Sequence, residues 1–432
     1  MTDSVLTYKT NEYTGTMYPV PKLDQFTLSE YLGQYKGMVK VNRAIYIGER
    51  STELAVESYT IALKELHDNT LNVPLYEEVV KRLRQLGALV ERDGSWVEKT
   101  RNDSRSMRDM HKNAVAKAVS QSLKKEAMRE QRAYAQYESD MGFTDEAIRA
   151  WQDGRDFCTS VEEQAMLFVE AARVSQIAFR WLQVGSFIQR AALTLAKSGG
   201  DIQSELDVLQ LQSNAGDGRW AAVVAAVRAL AYDGVAANGI FERGAISPHD
   251  IALYGTLAGL ASLNRDAIKT GLIDNVAFGK YLDHIPECQR LLQSFYAARY
   301  SECLERLDNV LSLAVFDPVI AQHASSLRAV IRENIVVLYT QPFVSTRLDT
   351  MAQALGFASR AALENVLVRL IEKKQIVARI DGTSGYLVKY TPSPRDVALE
   401  SIERMYDTFS LQSDLLLARI HFLEAETAKG GR

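Results

Sequence analysis

The stretch KQIVARIDGTSGYLVKY, Lys374 to Tyr390, decides the fold of the C-terminal part of this 432-residue chain. Every second residue is apolar along 376–380 and again along 386–390, which is the period of a half-buried strand. Between the two segments, Asp381 is followed by glycine, a pair that opens tight turns, and Gly385 closes the turn. The pattern predicts a β-hairpin in a chain that is otherwise patterned as helix almost throughout.

The residues before the hairpin extend this prediction to a winged helix. Pro342 forces an extended segment around Val344, and a short amphipathic helical pattern follows at 348–355. Ser359 then caps a longer helix whose apolar residues recur at i, i+3, i+4 and i+7. Helix, strand, helix, helix and hairpin is the order of a winged helix. We expect the extended piece at Val344 to complete its small sheet.

Upstream of the winged helix, amphipathic helical patterns follow one another from residue 28 onward. Between 126 and 235, helix pairs recur about every 35 to 40 residues, which is typical of a tetratricopeptide-like (TPR-like) solenoid. The predicted fold class is mainly α, with a TPR-like helical-repeat solenoid, then a winged helix with a small β-sheet, then a C-terminal helix. The expected segments are 1–27, an extended N-terminal arm; 28–125, an N-terminal helical region with a linker near 92–114; 126–235, the repeats; 236–340, a second helical region; 341–391, the winged helix; and 392–432, the C-terminal helix and tail.

The composition of the chain limits the classes of protein to which it can belong. The formal net charge is −4 and the pI is about 6.0, so the overall field gives no reason to expect nucleic-acid binding. Cys158, Cys288 and Cys303 lie far apart without a CxxC pair, which argues against a disulfide framework or a thiolate zinc site. The most apolar helical stretch, Trp220 to Tyr232, is too short to span a bilayer, and the polar N-terminus has no signal-peptide pattern. We expect a soluble intracellular protein.

The sequence contains no motif for catalysis. HExxH, GxxxxGK[ST], GxGxxG and GxSxG are all absent. We predict no catalytic, metal-binding or cofactor-binding residue, no cofactor and no enzymatic activity, and we interpret His249 as an exposed residue at a helix start. The six histidines are isolated in the sequence: His67, His111, His249, His284, His323 and His421.

A basic segment leaves two interpretations open. Between Arg101 and Arg132 there are nine lysines and arginines against four acidic residues. The segment forms either a docking face for an acidic partner or an ordinary solvated helix surface.

Two features predict contacts with other chains, and the first is the winged-helix sheet. The edge of a small sheet carries main-chain groups that can pair with a strand of a neighbouring chain. We expect this subunit interface at Val377, Arg379, Asp381, Leu387 and Lys389.

The second feature is the long helix predicted after Pro394. A terminal helix with one apolar side either folds back on its own protein or joins a bundle with helices of other subunits. In the bundle interpretation, the subunit interface consists of the apolar residues at three- and four-residue spacing: Ile402, Met405, Phe409, Leu416, Ile420 and Leu423.

A winged helix can also bind DNA through its second long helix. Carboxylates among the cations of that helix would face phosphates in a major groove, and no Arg/Lys-rich wing follows. The sequence therefore favours a sheet extended by a neighbouring chain over nucleic-acid binding. The exposed positions would be Arg360, Glu364, Asn365, Arg369, Glu372, Lys373 and Lys374.

Four regions of the chain, 31–83, 154–160, 246–268 and 338–381, contain stretches that resemble, in the same order, segments of the PCI-domain proteins, and within them of the subunit 1 family of the COP9 signalosome. ISPHDIALYGTLAGLASLNRDAI at 246–268 is similar to that family's SPxDxAxYG stretch, and GRDFCTS at 154–160 to its RDYCTS stretch. In the winged helix, LYTQPFVSTRLDTMAQAL and LIEKKQIVARID are similar to the corresponding stretches. The resemblance covers most of 28–390, with little likeness around 93–113. Near the N-terminus, YLGQYKGMVKVNRAIYIGE and LYEEVVKRL match at Tyr35, Gly37, Arg43, Tyr76, Glu77 and Glu78.

The resemblance implies a scaffold within a large assembly. PCI-domain proteins are scaffold subunits of the proteasome lid, the COP9 signalosome and a translation-initiation complex, and 236–340 would be the helical part of the PCI domain. The signalosome removes the modifier Nedd8 from cullin–RING ubiquitin ligases, and its metalloprotease site belongs to another subunit. For this chain the resemblance implies other PCI subunits as partners, contacts with cullin–RING ligases, no nucleic acid or membrane, and a location in nucleus and cytoplasm. The alternatives are a proteasome-lid PCI subunit and a winged-helix nucleic-acid-binding protein.

Overall fold

The computed structural model describes residues 27–195, 203–357, 359–390 and 394–430. The expected N-terminal arm therefore lies outside the described residues, except for Thr27, which precedes the first helix. The chain divides into two compact units, Met1–Ile335 and Val336–Arg432.

The first unit begins with four helices that share one hydrophobic core. They are α1 (Leu28–Gly33), α2 (Gly37–Arg50), α3 (Ala55–Asn69) and α4 (Val73–Gln85). The apolar positions that the pattern marks on α4, including Val79, Val80 and Leu83, are buried. Asn72 caps α4 by accepting the main-chain N–H of Leu75 at 3.1 Å.

Helical repeats follow, and from the first of these helices to the seventh each packs against the next along the chain. This is the helical-repeat architecture that the sequence predicts. The helices are α5 (Gly94–Ser120), α6 (Lys124–Asp140), α7 (Thr144–Asp153), α8 (Val161–Ile177), α9 (Trp181–Leu195), α10 (Gln203–Gly216), α11 (Trp220–Ala229) and α12 (Tyr232–Ala237).

The predicted linker near 92–114 is wrong, because these residues form most of α5, one of the longest helices. The face of α5 that packs inward carries Val97, Thr100 and Ser104, all buried. Small polar residues occupy positions where the helical pattern requires apolar ones, so the period is hidden in the sequence. Asp93 caps the helix by accepting the main-chain N–H of Trp96 at 2.9 Å.

The rest of the first unit is a second group of helices. Its central helix is buried on nearly all sides from Asp250 to Leu260, as expected of a helix that is apolar around most of its circumference. A π-helical turn, Lys269–Ile273, and a 3₁₀ turn, Ala321–His323, interrupt the series. The α-helices are α13 (Pro248–Ser262), α14 (Arg265–Ile268), α15 (Val276–Leu282), α16 (Pro286–Tyr296), α17 (Tyr300–Ala314) and α18 (Ala324–Thr340), whose last residues belong to the second unit.

The second unit contains the winged helix. Its strands are β1 (Ser345–Arg347), β2 (Ala378–Asp381) and β3 (Tyr386–Lys389), and they form an antiparallel sheet in the order β1-β3-β2. The hairpin and the completion of the sheet next to Val344 are therefore confirmed. The helices of this unit are α19 (Leu348–Ala354), α20 (Arg360–Glu372) and the long α21 (Pro394–Gly430).

Two further findings concern the described helices. Gly142 follows α6 with a φ of +78°, and a Cβ there would overlap the side chain of Met38. In the described part of the chain, no helix combines the length and apolar character needed to cross a membrane.

Candidate interaction sites

Residues that carry the sequence resemblance meet in a buried polar cluster of the first unit. Arg43 on α2 is only 1% exposed, and its guanidinium donates to Asp250 Oδ2 at 3.3 Å and to Asp317 Oδ2 at 3.0 Å. Tyr35 donates to Asp250 Oδ1 at 2.7 Å, and the Arg43 guanidinium stacks over its ring. The hydroxyl of Tyr254 lies 3.0 and 3.1 Å from the two carboxylate oxygens of Asp317. The cluster ties α2 to α13 and to the segment after α17.

The packing around this cluster explains several of the residue types in SPHDIALYG, residues 247–255. Ser247 and Asp250 form a reciprocal capping box at the start of α13, with Pro248 in the first turn. Asp250 thus both caps its helix and binds Arg43. At Gly255, a Cβ would lie 2.6 Å from the ring of Phe278, so only glycine fits there.

This cluster contains one guanidinium and two carboxylates, so the cluster carries an excess of negative charge. Burial raises the pKa of Asp250 to about 6, although Arg43 opposes this shift. Burial alone would lower the pKa of Arg43, but the neighbouring Asp250, Tyr35 and Asp317 hold it well above its usual value. Arg43 is therefore charged throughout the physiological range, and its partners depend on it for compensation.

We predict that replacing Asp250 with asparagine removes a pH dependence of stability. The folded protein holds the Asp250 proton with a pKa of about 6, against about 3.9 in an unfolded chain. The stabilisation by this proton is fully present below about pH 4 and is lost as the pH rises through about 6. As the pH rises from about 4 through about 6, the free energy of unfolding of the wild-type protein should fall relative to that of Asp250→Asn. Urea denaturation followed by the fluorescence of the tryptophans measures this, and parallel pH profiles would contradict the prediction.

The GRDFCTS stretch also proves structural. Gly154 to Phe157 form a 3₁₀ turn after α7, and Ser160 then caps α8 by accepting the main-chain N–H of Glu163 at 3.1 Å. The Glu163 carboxylate in turn accepts both the main-chain N–H and the hydroxyl of Thr159 at 2.9 Å. This stretch therefore ends one helix and starts the next.

Two of the histidines that are isolated in the sequence lie close together in the fold. Within residues 27–195, 203–357, 359–390 and 394–430, no group of three or more His, Cys, Asp or Glu side chains could hold a metal ion. His249 and His284, isolated in sequence, have ring centroids 5.9 Å apart. His249 is half-buried rather than exposed, contrary to our expectation, because it lies against Gln34 of the N-terminal helices. Its burial lowers its pKa to about 4, so the ring is neutral at physiological pH.

The strand order corrects two of the predicted edge residues. Leu387 and Lys389 lie on β3, which is the central strand and has β1 and β2 on its two sides. Leu387 is buried. The prediction that they lie at an edge is wrong, because the extended segment near Val344 pairs with β3 and not with β2. A two-stranded hairpin read from the sequence gives no indication of which strand the third one joins.

The other three predicted residues lie on or beside β2, which is one true edge. Asp381 caps the hairpin turn, because its carboxylate accepts the main-chain N–H groups of Thr383 and Ser384. Arg379 stacks its guanidinium over the ring of Tyr390 at 4.2 Å. Val377 is about half exposed. Their role as an interface stays a prediction.

The main-chain groups available at this edge belong to residues that the sequence did not single out. Tyr390 donates its main-chain N–H to Val377 O at 3.0 Å, and Gly385 donates to Asp381 O at 2.9 Å. Because main-chain direction alternates along an antiparallel strand, the intervening Ala378 and Ile380 present their N–H and C=O groups away from β3. These two residues are where another strand would add to the sheet.

The long helix α21 carries exposed apolar side chains on two faces. At 3.6 residues per turn, Ile402, Met405 and Phe409 fall on one face, while Leu411 and Leu415 fall on another. In the part whose side chains are described, the helix is therefore not covered by the other elements of the second unit. Every one of the following side chains is at least half exposed: Leu399, Ile402, Met405, Tyr406, Phe409, Leu411, Leu415, Leu416, Leu417, Ile420 and Phe422. Leu423 belongs to the same helix, but its side chain lies outside the described residues.

The helix α20, which a DNA-binding winged helix would use, carries internally compensated charge. Arg360 Nε lies 2.7 Å from the carboxylate of Glu364, one turn further along. The guanidinium is thus already paired at the exposed start of the helix, and a phosphate would have to displace Glu364.

Two family models match parts of the chain. The model "PCI domain" matches residues 312–390, and the model "26S proteasome subunit RPN7" matches residues 93–271. The first match runs from α17 to the end of the winged helix, and the second covers the repeats and α13. The chain therefore carries a PCI domain at the position where the winged helix lies.

Curated proteins similar to this chain give a consistent result. COP9 signalosome complex subunit 1 of Arabidopsis thaliana is 26% identical over 425 residues, which cover 96% of this chain and 94% of that protein. COP9 signalosome complex subunit 1b of Drosophila melanogaster is 24% identical over 473 residues, with 96% and 88% covered. A 26S proteasome non-ATPase regulatory subunit 6 of Dictyostelium discoideum is 27% identical, but only over 173 residues, 39% of this chain and 42% of that protein. The similarity to signalosome proteins is nearly complete in length, and the proteasome similarity is partial.

Proposed function

We propose that this chain, a PCI-domain protein similar over nearly its whole length to the subunit 1 proteins of the COP9 signalosome, is a non-catalytic scaffold subunit of such a complex. The observation that carries the proposal is the extent of the similarity, 96% of this chain against 94% of the plant relative. The complex would remove Nedd8 from cullin–RING ubiquitin ligases, with the metalloprotease site in another subunit. Its partners would be other PCI subunits and those ligases, in nucleus and cytoplasm.

Two surfaces support the scaffold proposal. The β2 edge offers the main-chain groups of Ala378 and Ile380 to another strand, which gives affinity through hydrogen bonds. α21 offers apolar side chains on more than one face, and apolar faces of a helix are ordinarily buried against neighbours. We infer that α21 lies inside a bundle of helices from several subunits, with partners on more than one side.

Affinity purification of the tagged full-length chain from its own cells tests the proposal. We expect other PCI-domain subunits and a Nedd8-removing activity to co-purify, with the activity lost when those subunits are absent. The partial proteasome similarity defines the second candidate: recovery of the proteasome base instead would support a lid subunit. Recovery of the chain alone would contradict both.

A proline at the β2 edge should weaken assembly without unfolding the winged helix. Ala378 is the first residue of β2, where proline is tolerated, and its N–H points away from β3. Ala378→Pro should therefore keep the sheet but remove a donor at the edge, and we expect about tenfold less recovery of partner subunits. Ala378→Ser is the matched control.

Folding of the proline variant is checked independently by hydrogen exchange of the Lys389 N–H, which donates to Val344 O at 2.8 Å within the sheet. If that N–H stays protected and recovery of the partners is unchanged, the β2 edge is not the interface.

A further inference from the structure

The turn between α5 and α6 is a well-formed basic corner of the first unit. Leu123 donates its main-chain N–H to Ala118 O at 3.1 Å, and Ser122 donates to Val119 O at 2.9 Å. Ser122 takes the left-handed conformation, with a φ of +58°, to make this turn. We name residues 111–125 the basic tip, because they contain four lysines and no acidic residue.

The four lysines of the basic tip are exposed and have no carboxylate partner. Lys112, Lys117, Lys124 and Lys125 form no salt bridge among the described residues. Further back on α5, by contrast, Arg108 is paired with Glu138 of α6 at 2.8 Å. The positive charge of the tip is therefore available to a partner, on a chain whose overall charge is negative.

Two of these lysines stand where the helix itself disfavours them. Lys117, in the last turn of α5, is favourable because cations stabilise a helix C-terminus. Lys124 and Lys125 instead begin α6, at the positive end of its dipole and next to each other. In the same first turn, Glu126 suits the dipole. An anionic partner would compensate the two lysines as well.

Exposed apolar side chains lie among the lysines. Val119 and Leu123, on the two sides of the turn, are 46% and 44% exposed. Apolar surface framed by like charge is a combination that a complementary peptide can cover, with one apolar anchor and flanking carboxylates. A nucleic-acid backbone would use the charge but not the apolar surface.

We propose that the basic tip binds an acidic peptide segment of another protein that carries an apolar side chain among its carboxylates. The carboxylates pair with Lys112, Lys117, Lys124 and Lys125, and the apolar side chain covers Val119 and Leu123. This contact is separate from the winged helix and from α21, and it requires neither of them.

Fluorescence anisotropy of the full-length chain with a labelled peptide tests the proposal. The probe is a short peptide of glutamates and aspartates around a central Leu-Phe pair. Charge reversal at both Lys124 and Lys125 should weaken its binding about tenfold or more, and the binding should fall between low salt and ~0.3 M salt. The double variant Lys64→Glu with Lys81→Glu changes the net charge equally, at exposed lysines of α3 and α4 that form no salt bridge within the described residues. It should bind as the wild type does.

Two further outcomes complete the test. The Lys124→Glu and Lys125→Glu protein should be at least as stable as the wild type, because the reversal suits the dipole of α6, so lost binding cannot be ascribed to unfolding. A probe with serines in place of the Leu-Phe pair should bind several-fold more weakly. Equal loss in both charge variants, or a duplex RNA that competes more strongly than the peptide, would overturn the proposal.

Discussion

Replacing Arg43 with methionine is expected to lower the free energy of unfolding of the first unit by about 3–5 kcal/mol. Methionine fills much of the same volume, so the loss comes from charge rather than from a cavity. Without the guanidinium, the carboxylates of Asp250 and Asp317 are left buried without compensation, 2% and 0% exposed. Urea denaturation followed by tryptophan fluorescence isolates this unit, because all four tryptophans lie within it.

The matched control for Arg43→Met removes the carboxylates as well. Adding Asp250→Asn and Asp317→Asn should recover a substantial part of the lost stability, although each asparagine substitution alone is destabilising. Such non-additivity is expected of residues in one hydrogen-bonded network. An Arg43→Met protein within about 1 kcal/mol of the wild type would show that the cluster is not a strong link between α2 and α13.

Unlike Arg43→Met, a carboxylate placed on α21 should leave folding unchanged and abolish assembly. Leu416 is 62% exposed in the isolated chain, so Leu416→Asp removes no packing within it. Inside a bundle the same aspartate would be buried without a partner, which costs several kcal/mol. We expect the variant to keep the far-UV circular dichroism of the wild type and the hydrogen-exchange protection of the Lys389 N–H, which lies in the same unit as α21. We expect it to recover none of the partner subunits in affinity purification.

Ser410→Asp supplies the control on the same helix. At 3.6 residues per turn, Ser410 lies on the polar side of α21, close to Glu403 and Asp414. The same charge there should leave recovery of the partners close to that of the wild type. If Leu416→Asp protein still assembles at wild-type yield, α21 does not enter a bundle through this face.

The two expected effects differ because Arg43 has its partners within the same chain, whereas the apolar side chains of α21 would have theirs in other subunits. The Arg43 cluster is complete within one chain, and its hydrogen bonds join segments more than 200 residues apart. The apolar residues of α21 that are described stay exposed within the second unit. The first is therefore tested by folding and the second by assembly.

Prediction from the sequence succeeded where a pattern is local. The hairpin, the short helix before α20 and the Ser359 cap of α20 all follow from the periods and turn residues of a few neighbouring positions. The linker near 92–114 failed because the buried face of α5 uses Thr100 and Ser104, which carry no hydrophobic signal. The sequence did not reveal Asp317 as a member of the buried cluster, because an aspartate just before a proline is typical of a helix cap. Asp317 does also accept the main-chain N–H of Val319.

The sequence by itself determined the helical repeats, the winged helix and the long terminal helix, because the side-chain period along a segment reflects which face it buries. It also carried the stretches through which the chain resembles PCI-domain proteins. Only the tertiary structure decided what those stretches do: it brought Tyr35, Arg43, Asp250 and Asp317 together as one buried network. It likewise made β3 the central strand, so that Ala378 and Ile380, not Leu387 and Lys389, face a free edge. Which residues meet across long stretches of chain depends on the packing of whole elements, and no local period records it.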